Sequence, residues 1–143
     1  MMDIDLEVSS FLEETRVAVL GTTNAAGVRI RNDFGSLHQT PIWFSWEDGE
    51  AYMFTSRRSV KWQNILTRPY ASLCVDRRDP PYASVILSGD ITEVDRPIYE
   101  SVRSMAMRYY GEKKGQEFAE MYRDNPASTV CFKLTPNRVV RNL

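Results

Sequence analysis

Cysteine and histidine are scarce: the 143 residues hold two cysteines, Cys74 and Cys131, and one histidine, His38. Neither cysteine belongs to a Cys-x-x-Cys pair, so Cys and His cannot assemble a zinc site, and both thiols are expected to act as small buried hydrophobes. Lysine is scarce too, with four against fourteen arginines, and nineteen acidic residues balance the eighteen basic ones to a formal charge of -1. A chain without net positive charge lacks the global field that dominates nucleic-acid binding, which excludes nucleic acid as the expected partner. No apolar run approaches the roughly 18 residues of a membrane span. The acidic first ten residues are not a basic, apolar leader, so the expected location is the cytoplasm with reduced thiols. GxGxxG, Walker sequences, GxSxG elbows, internal repeats and coiled-coil heptads are all missing.

What the chain does have is a composition of 43% hydrophobic, 26% charged and 11% aromatic residues, with 7 Gly and 7 Pro. That is a foldable composition, and the length suits a single domain over residues 1–143. Residues 4–14 carry Ile4, Val8, Phe11 and Leu12 at helical spacing behind Asp3 as N-cap, a short lid helix. Period-two alternation and β-branched residues predict strands at 16–23, 28–31, 38–46, 51–55, 70–76 and 84–94, with turns at 24–27 and 47–50 and a loop at 77–82. Pro41 belongs at an edge, and Gly89 marks a bulge or bend.

A helix over 59–66 places Val60, Ile65 and Leu66 on one side. Another opens with Pro97 at its first position and Asp95 near the cap. It lines up Ile98, Val102, Met105 and Tyr109 and closes at Gly111, with Met107 and Tyr110 near its end reading as core or dimer packing. Residues 116–122 add a further helical turn or two, 128–136 a strand, and 137–143 a terminal strand or extension. Short strands with helices that never alternate regularly with them predict a mainly β architecture, an antiparallel barrel with peripheral helices.

Two stretches carry chemistry. At 55–64 a strand runs into a helix start bearing Ser56, Arg57, Arg58, Ser59 and Lys61. Free N–H groups, hydroxyls and cations converge there, as a phosphate requires. At 39–46, Trp43, Phe44 and Trp46 crowd one strand beside Pro41, whose missing N–H leaves backbone groups free to meet a flat heterocycle while the rings wall an apolar slot. Each stretch taken alone is also ordinary structure, a capped helix with solvated cations and an aromatic core strand. His38 lacks the partners of a nucleophilic triad and reads as an edge-strand histidine.

The order Pro-x-Trp-Phe at 41–44, Thr-Ser-Arg-x-Ser-x-Lys-x-x-Asn-Ile at 55–65, Arg-Pro-x-Ala-Ser-Leu at 68–73 and Pro-Pro-Tyr at 80–82 resembles the pyridoxamine 5′-phosphate oxidase-like split-barrel superfamily. Within it the chain is most similar to the actinobacterial flavin and deazaflavin oxidoreductase branch, commonly described as F420-dependent. The resemblance covers residues 11–143. It implies a six-stranded antiparallel split β-barrel, FMN-binding split barrel-like, that forms a homodimer with two cofactor sites across the interface.

Carried over by position, Thr55, Ser56, Arg57, Ser59 and Lys61 would bind the cofactor phosphate, with Asn64 supporting. Pro41, Ile42 and Trp43 would lie beside the ring system, and Pro81 and Tyr82 would come from the other subunit, Tyr82 being a candidate proton donor. The implied activity is hydride transfer from reduced F420 to a small unsaturated or quinone-like acceptor. The alternatives are an FMN-dependent oxidase-like enzyme and a non-catalytic flavin, deazaflavin or haem binder using His38. The chain departs from the family pattern in the long connection at 28–39, in Ala83 where relatives carry Arg, and in a C-terminus lacking the terminal aromatic.

Overall fold

A computed structural model of the chain describes residues 2–25 and 36–143. The strand expected at 28–31, half of the turn at 24–27 and most of the connection at 28–39 lie outside the described residues. Among those described, seven strands form one antiparallel sheet: β1 (Ala18–Thr23), β2 (Leu37–Ile42), β3 (Ser45–Glu47), β4 (Glu50–Ser56), β5 (Tyr70–Arg77), β6 (Ala83–Glu93) and β7 (Thr129–Asn142). Their order is β2-β1-β5-β6-β7-β4-β3. Four helices accompany them: α1 (Leu6–Glu13), α2 (Val60–Thr67), α3 (Ile98–Tyr110) and α4 (Glu112–Glu120).

The two edge strands, β2 and β3, are consecutive in the chain and separated only by Trp43 and Phe44. Laid flat, seven strands would hold their edges roughly 29 Å apart, whereas the link from Ile42 to Ser45 spans at most about 11 Å. The sheet must therefore curl until its edges meet, which makes it a split barrel. The single aromatic strand expected at 38–46 is in fact broken here, and this raises the strand count from six to seven. The break is stable because side chains of α3 take over the backbone bonds of Phe44. Its N–H donates to the Tyr109 hydroxyl (3.0 Å), and its carbonyl accepts from Nε of Arg108 (3.1 Å).

The in–out alternation of the strands fills the interior. Leu20, Phe44, Met53, Leu73, Val75, Val85, Leu87, Phe132 and Leu134 are fully buried. The lid helix begins later than expected, with Asp5 rather than Asp3 as its N-cap. The Asp5 carboxylate accepts from the Val8 N–H (2.9 Å), because the cap must stand three residues before the donor it satisfies. Val8, Phe11 and Leu12 then cover the core, while Arg141 near the chain end pairs with Asp5 and Glu7.

On α2 the buried residues are Trp62, Asn64 and Ile65, and the expected face of Val60 and Leu66 is exposed. The Trp62 ring packs on Phe132 (centroids 5.5 Å apart), so the larger apolar surface decides which side faces inward. Residues 129–142 form one strand rather than a strand and an extension, because Asn137 is looped out of register between the Gly89–Pro136 and Ser88–Arg138 pairs. Gly89 makes this crossing possible: a Cβ there would stand 1.9 Å from the Thr135 carbonyl oxygen.

In α3, Pro97 occupies the N-cap without a side-chain bond, and Asp95 does not cap. The buried face is Val102, Met105 and Ala106. Helix α4 folds back on α3 so closely that a Cβ on Gly115 would meet Met107 backbone atoms at 2.7 Å. No helix among the described residues is long and apolar enough to cross a membrane.

Candidate functional site

Barrel closure brings the β2 edge against the far end of β4, and a cleft of about 430 Å³ opens between them. Pro41, Ile42 and Trp43 line it from the closing joint. Phe54, Thr55 and Ser56 line it from β4, Lys61 from α2, Phe118 and Tyr122 from α4 and the turn after it, and Ser128 and Thr129 from the turn into β7 and its first residue. The two stretches singled out in the sequence thus meet in one cavity, through Pro41, Ile42 and Trp43 and through Thr55, Ser56 and Lys61. Phe44 and Trp46, expected to wall the slot, are buried in the core and do not line it.

One end of the cleft is polar. Ser59 caps α2, its Oγ accepting from the Trp62 N–H (3.2 Å) and from the Thr55 hydroxyl (3.1 Å). Ser56 Oγ accepts from the Arg58 N–H (3.2 Å), and the Gln63 amide donates to the Arg57 carbonyl (2.7 Å), which fixes the strand-to-helix turn. Lys61 stands half-buried in the first turn of α2 and is the only charged residue lining the cleft among the described residues. It has no carboxylate partner among them, and burial pushes its pKa below the ordinary 10.5. A helix that opens on cations rather than carboxylates works against its own dipole, and an anion placed there would relieve both conflicts.

The other end is aromatic. The Trp43 ring lies parallel to Tyr109, with centroids 4.9 Å apart and planes 7° apart, and Tyr110 meets it edge-on at 5.0 Å. Phe118 closes in at 5.1 Å, and Tyr122 stands edge-on to Phe54 at 5.8 Å. The Tyr109 hydroxyl donates to the Arg16 carbonyl (2.7 Å) while accepting from Phe44, so the ring under Trp43 is pinned. Burial raises the pKa of both Tyr109 and Tyr122. A wall of this kind, with an isolated cation at the far end, suits a planar ring system carrying an anionic tail.

The remaining site candidates lie elsewhere. Arg57 turns away from the cleft and grips Glu93 with both terminal nitrogens (3.1 and 3.2 Å). Ser59 is engaged as the cap just described. Asn64 is buried behind α2, donating to Thr22 Oγ1 and Asn24 Oδ1 (both 3.0 Å) and accepting from the Ala25 N–H (2.8 Å), so it ties the helix to the end of β1. Pro81 and Tyr82 sit on the β5–β6 loop, where the Pro81 carbonyl accepts from Arg77 Nε (2.7 Å) and Tyr82 is 72% exposed beside a separate hollow. His38 pairs across from Thr22 on β2 and does not line the cleft. No cluster of three or more metal-ligating side chains occurs among the described residues.

Sequence reasoning missed Phe54, Phe118, Tyr122, Ser128 and Thr129. Phe118 and Tyr122 are four residues apart and could have been recognised as one helical face. Thr129 reaches the site only through its pairing with Ser56, a register that no local pattern reveals.

Residues 4–141 match the family model of pyridoxamine 5′-phosphate oxidase. Among solved structures the chain is similar to an F420 reductase at 20% identity, covering 92% of this chain and 94% of that one with a TM-score of 0.72. A conserved hypothetical protein from Mycobacterium tuberculosis aligns at 19% identity over 99% and 85% of the two chains, with a TM-score of 0.72. An FAD-binding protein from Mesorhizobium loti aligns at 14% identity over 96% and 94%, with a TM-score of 0.61. No functionally curated protein matches the chain in sequence. At these identities the solved structures establish the shared split-barrel fold.

Proposed function

The chain belongs to the pyridoxamine 5′-phosphate oxidase family, and from that premise we propose that it is an oxidoreductase holding F420 in the cleft between the closing joint and α2. The observation that carries this is Lys61, an isolated half-buried cation beside the hydroxyl-bearing turn at 55–59, in the same cavity as Trp43. Lys61, Thr55 and Ser56 bind the cofactor phosphate; Pro41, Ile42 and Trp43 orient the ring system, and Phe118 and Tyr122 keep water from it. The bound cofactor supplies hydride for transfer to a small unsaturated or quinone-like acceptor. No protein nucleophile takes part. The FMN reading rests on the same anion end, whereas the haem reading loses its ligand, since His38 is the sole histidine and does not line the cleft.

A second copy of the chain completes the site in this proposal. Pro81 and Tyr82 do not line the cleft of their own chain, so the role of Tyr82 as proton donor requires the partner's loop. The outer face of β2, β1 and β5 offers an apolar hollow bordered by Val19, Leu37, Tyr70 and Cys74, with Leu37 76% exposed. Light scattering should therefore give a dimer mass, and a monomer would remove Tyr82 from the proposal.

Equilibrium titration of the purified protein with F420, and separately with FMN, tests the cofactor through the cofactor's own fluorescence. Binding of F420 at about micromolar affinity or tighter, with weak FMN binding, supports the proposal. The reverse preference makes the protein an FMN enzyme, and no binding of either refutes a redox role for the cleft. Lys61→Ala should weaken binding by about 1–3 kcal/mol through the lost charge-assisted contact; unchanged affinity would mean the phosphate sits elsewhere.

A further inference from the structure

A second cavity, about 470 Å³, lies between strands β3 and β4 on one side and helix α3 on the other, and the cofactor proposal makes no use of it. Helix α3 lays Ser101, Ser104, Met105 and Arg108 along it at three- and four-residue spacing, with Arg96 at the helix entry. The floor is apolar, formed by Phe54 and Cys131, which pair across β4 and β7, while Met53 faces the barrel core. Phe54 also lines the first cleft, so one ring separates the two cavities.

The polar groups around this floor are rich in donors. Arg108 places three N–H groups on the carbonyls of Phe44, Glu13 and Glu14 (3.1, 3.0 and 2.9 Å), which fixes its guanidinium and leaves two N–H groups over. It has no carboxylate partner among the described residues. Arg96 lies over the Tyr52 ring (4.0 Å) and bonds Glu47 through one nitrogen (3.2 Å). Glu47 accepts from Arg96 and from the Ser45 hydroxyl (3.1 Å) through one oxygen, Oε2. Glu100, at the solvent rim, is the other carboxylate here. Arg108, Arg96, Ser101 and Ser104 thus line a hollow whose floor is hydrocarbon, sulfur and an aromatic ring.

We propose that this slot binds an organic monocarboxylate with an apolar body, the carboxylate taken by Arg108, Arg96 and the α3 hydroxyls and the body lying on Phe54, Cys131 and Met105. Guanidinium forks match the planar carboxylate, and the apolar floor selects against small hydrated anions. The site is distinct from the cofactor cleft and does not depend on which cofactor, if any, that cleft holds.

Calorimetric titration with octanoate, and with octanamide as its neutral isostere, tests the proposal on the full chain. Octanoate should bind saturably and octanamide about tenfold more weakly or not at all. Ser104→Phe, at an exposed helix position, should fill the slot and abolish binding, and Arg108→Gln should weaken it about tenfold. Lys61→Ala should leave it unchanged. Should Arg108→Gln fail to fold, the Ser104→Phe and Lys61→Ala pair still decides. No saturable octanoate binding, equal binding of octanamide, or loss of binding in Lys61→Ala with retention in Ser104→Phe would each overturn the proposal.

Discussion

Replacing Tyr109 by Phe isolates the bonds that hold the barrel shut. The ring under Trp43 stays, so the parallel stack at 4.9 Å is kept and no cavity opens. What is lost is one hydroxyl that accepts from the Phe44 N–H at 3.0 Å and donates to the Arg16 carbonyl at 2.7 Å. Phe44 is fully buried, and its N–H has no strand partner at the break between β2 and β3. A buried donor left unpaired costs about 1–3 kcal/mol, well below the roughly 3–5 kcal/mol expected if the whole ring were removed. In urea, with a slope of about 2 kcal/mol/M, the unfolding midpoint should fall by on the order of 1 M with the slope unchanged. A midpoint shift under about 0.2 M would refute the reasoning, since it would mean that water replaces the hydroxyl and the joint is held by other contacts.

Gly89→Ala should destabilise severely, by about 3 kcal/mol or more, because the added carbon meets a carbonyl oxygen at 1.9 Å, whereas Gly21→Ala, with its nearest atom at 3.6 Å, should be tolerated; thermal melts of the pair check this. Ser59→Ala should cost about 0.5–2 kcal/mol in chemical denaturation through the lost α2 cap, and a neutral result would show that the Thr55 hydroxyl takes over. Because the Lys61 pKa is lowered by burial, its charge opposes folding below that value, and stability recovers as pH rises toward 10.5. In the proposed phosphate site, affinity should run the other way, starting to fall before pH 10.5 is reached, and in Lys61→Arg the fall should disappear from a pH titration. Glu120, held at about 2 first by Arg123 and then by Tyr99 and Gln116, contributes stability above pH 4.5 that is lost as pH falls toward 2. Glu120→Gln should therefore lower the melting temperature at pH 7, with the difference narrowing as pH falls from 4.5 to 2.

The strands were legible because each buries one face, so apolar and polar residues alternate in the chain itself, as in 70–77 and 83–93. The break at Trp43 and Phe44 was not legible, since its backbone bonds go to Tyr109 and Arg108, more than sixty residues away. The same holds for α2: its apolar residues could be listed, but Trp62 faces inward because of Phe132, on a strand that arrives seventy residues later. At the site, the hydroxyls, the cation and the helix start of the turn at 55–61 are local features and so legible in the chain. Arg57 belongs to that turn by type and spacing, and Asn64 by the family resemblance, yet both are committed to distant partners, Glu93 and the end of β1. Residue type shows what a side chain can bind, while competition among all available partners decides what it does bind.

Closure of the barrel and assembly of the site are one event. Pro41, Ile42 and Trp43 come from one edge of the sheet and Phe54, Thr55 and Ser56 from the strand next to the other, so in a flat sheet they would lie roughly 24 Å apart. Only the two-residue joint brings them to opposite walls of one cleft, and that joint is held by Tyr109 and Arg108 of α3, whose neighbour α4 supplies Phe118. Loosening the joint should therefore weaken ligand binding without removing any group that touches the ligand. Tyr109→Phe should lower cofactor affinity alongside stability, whereas Ser59→Ala, which loosens α2 alone, should act on the anion end and leave the Trp43 end undisturbed. Equal loss of Trp43 contact in both variants would show that the two ends are coupled through the barrel wall rather than through its joint.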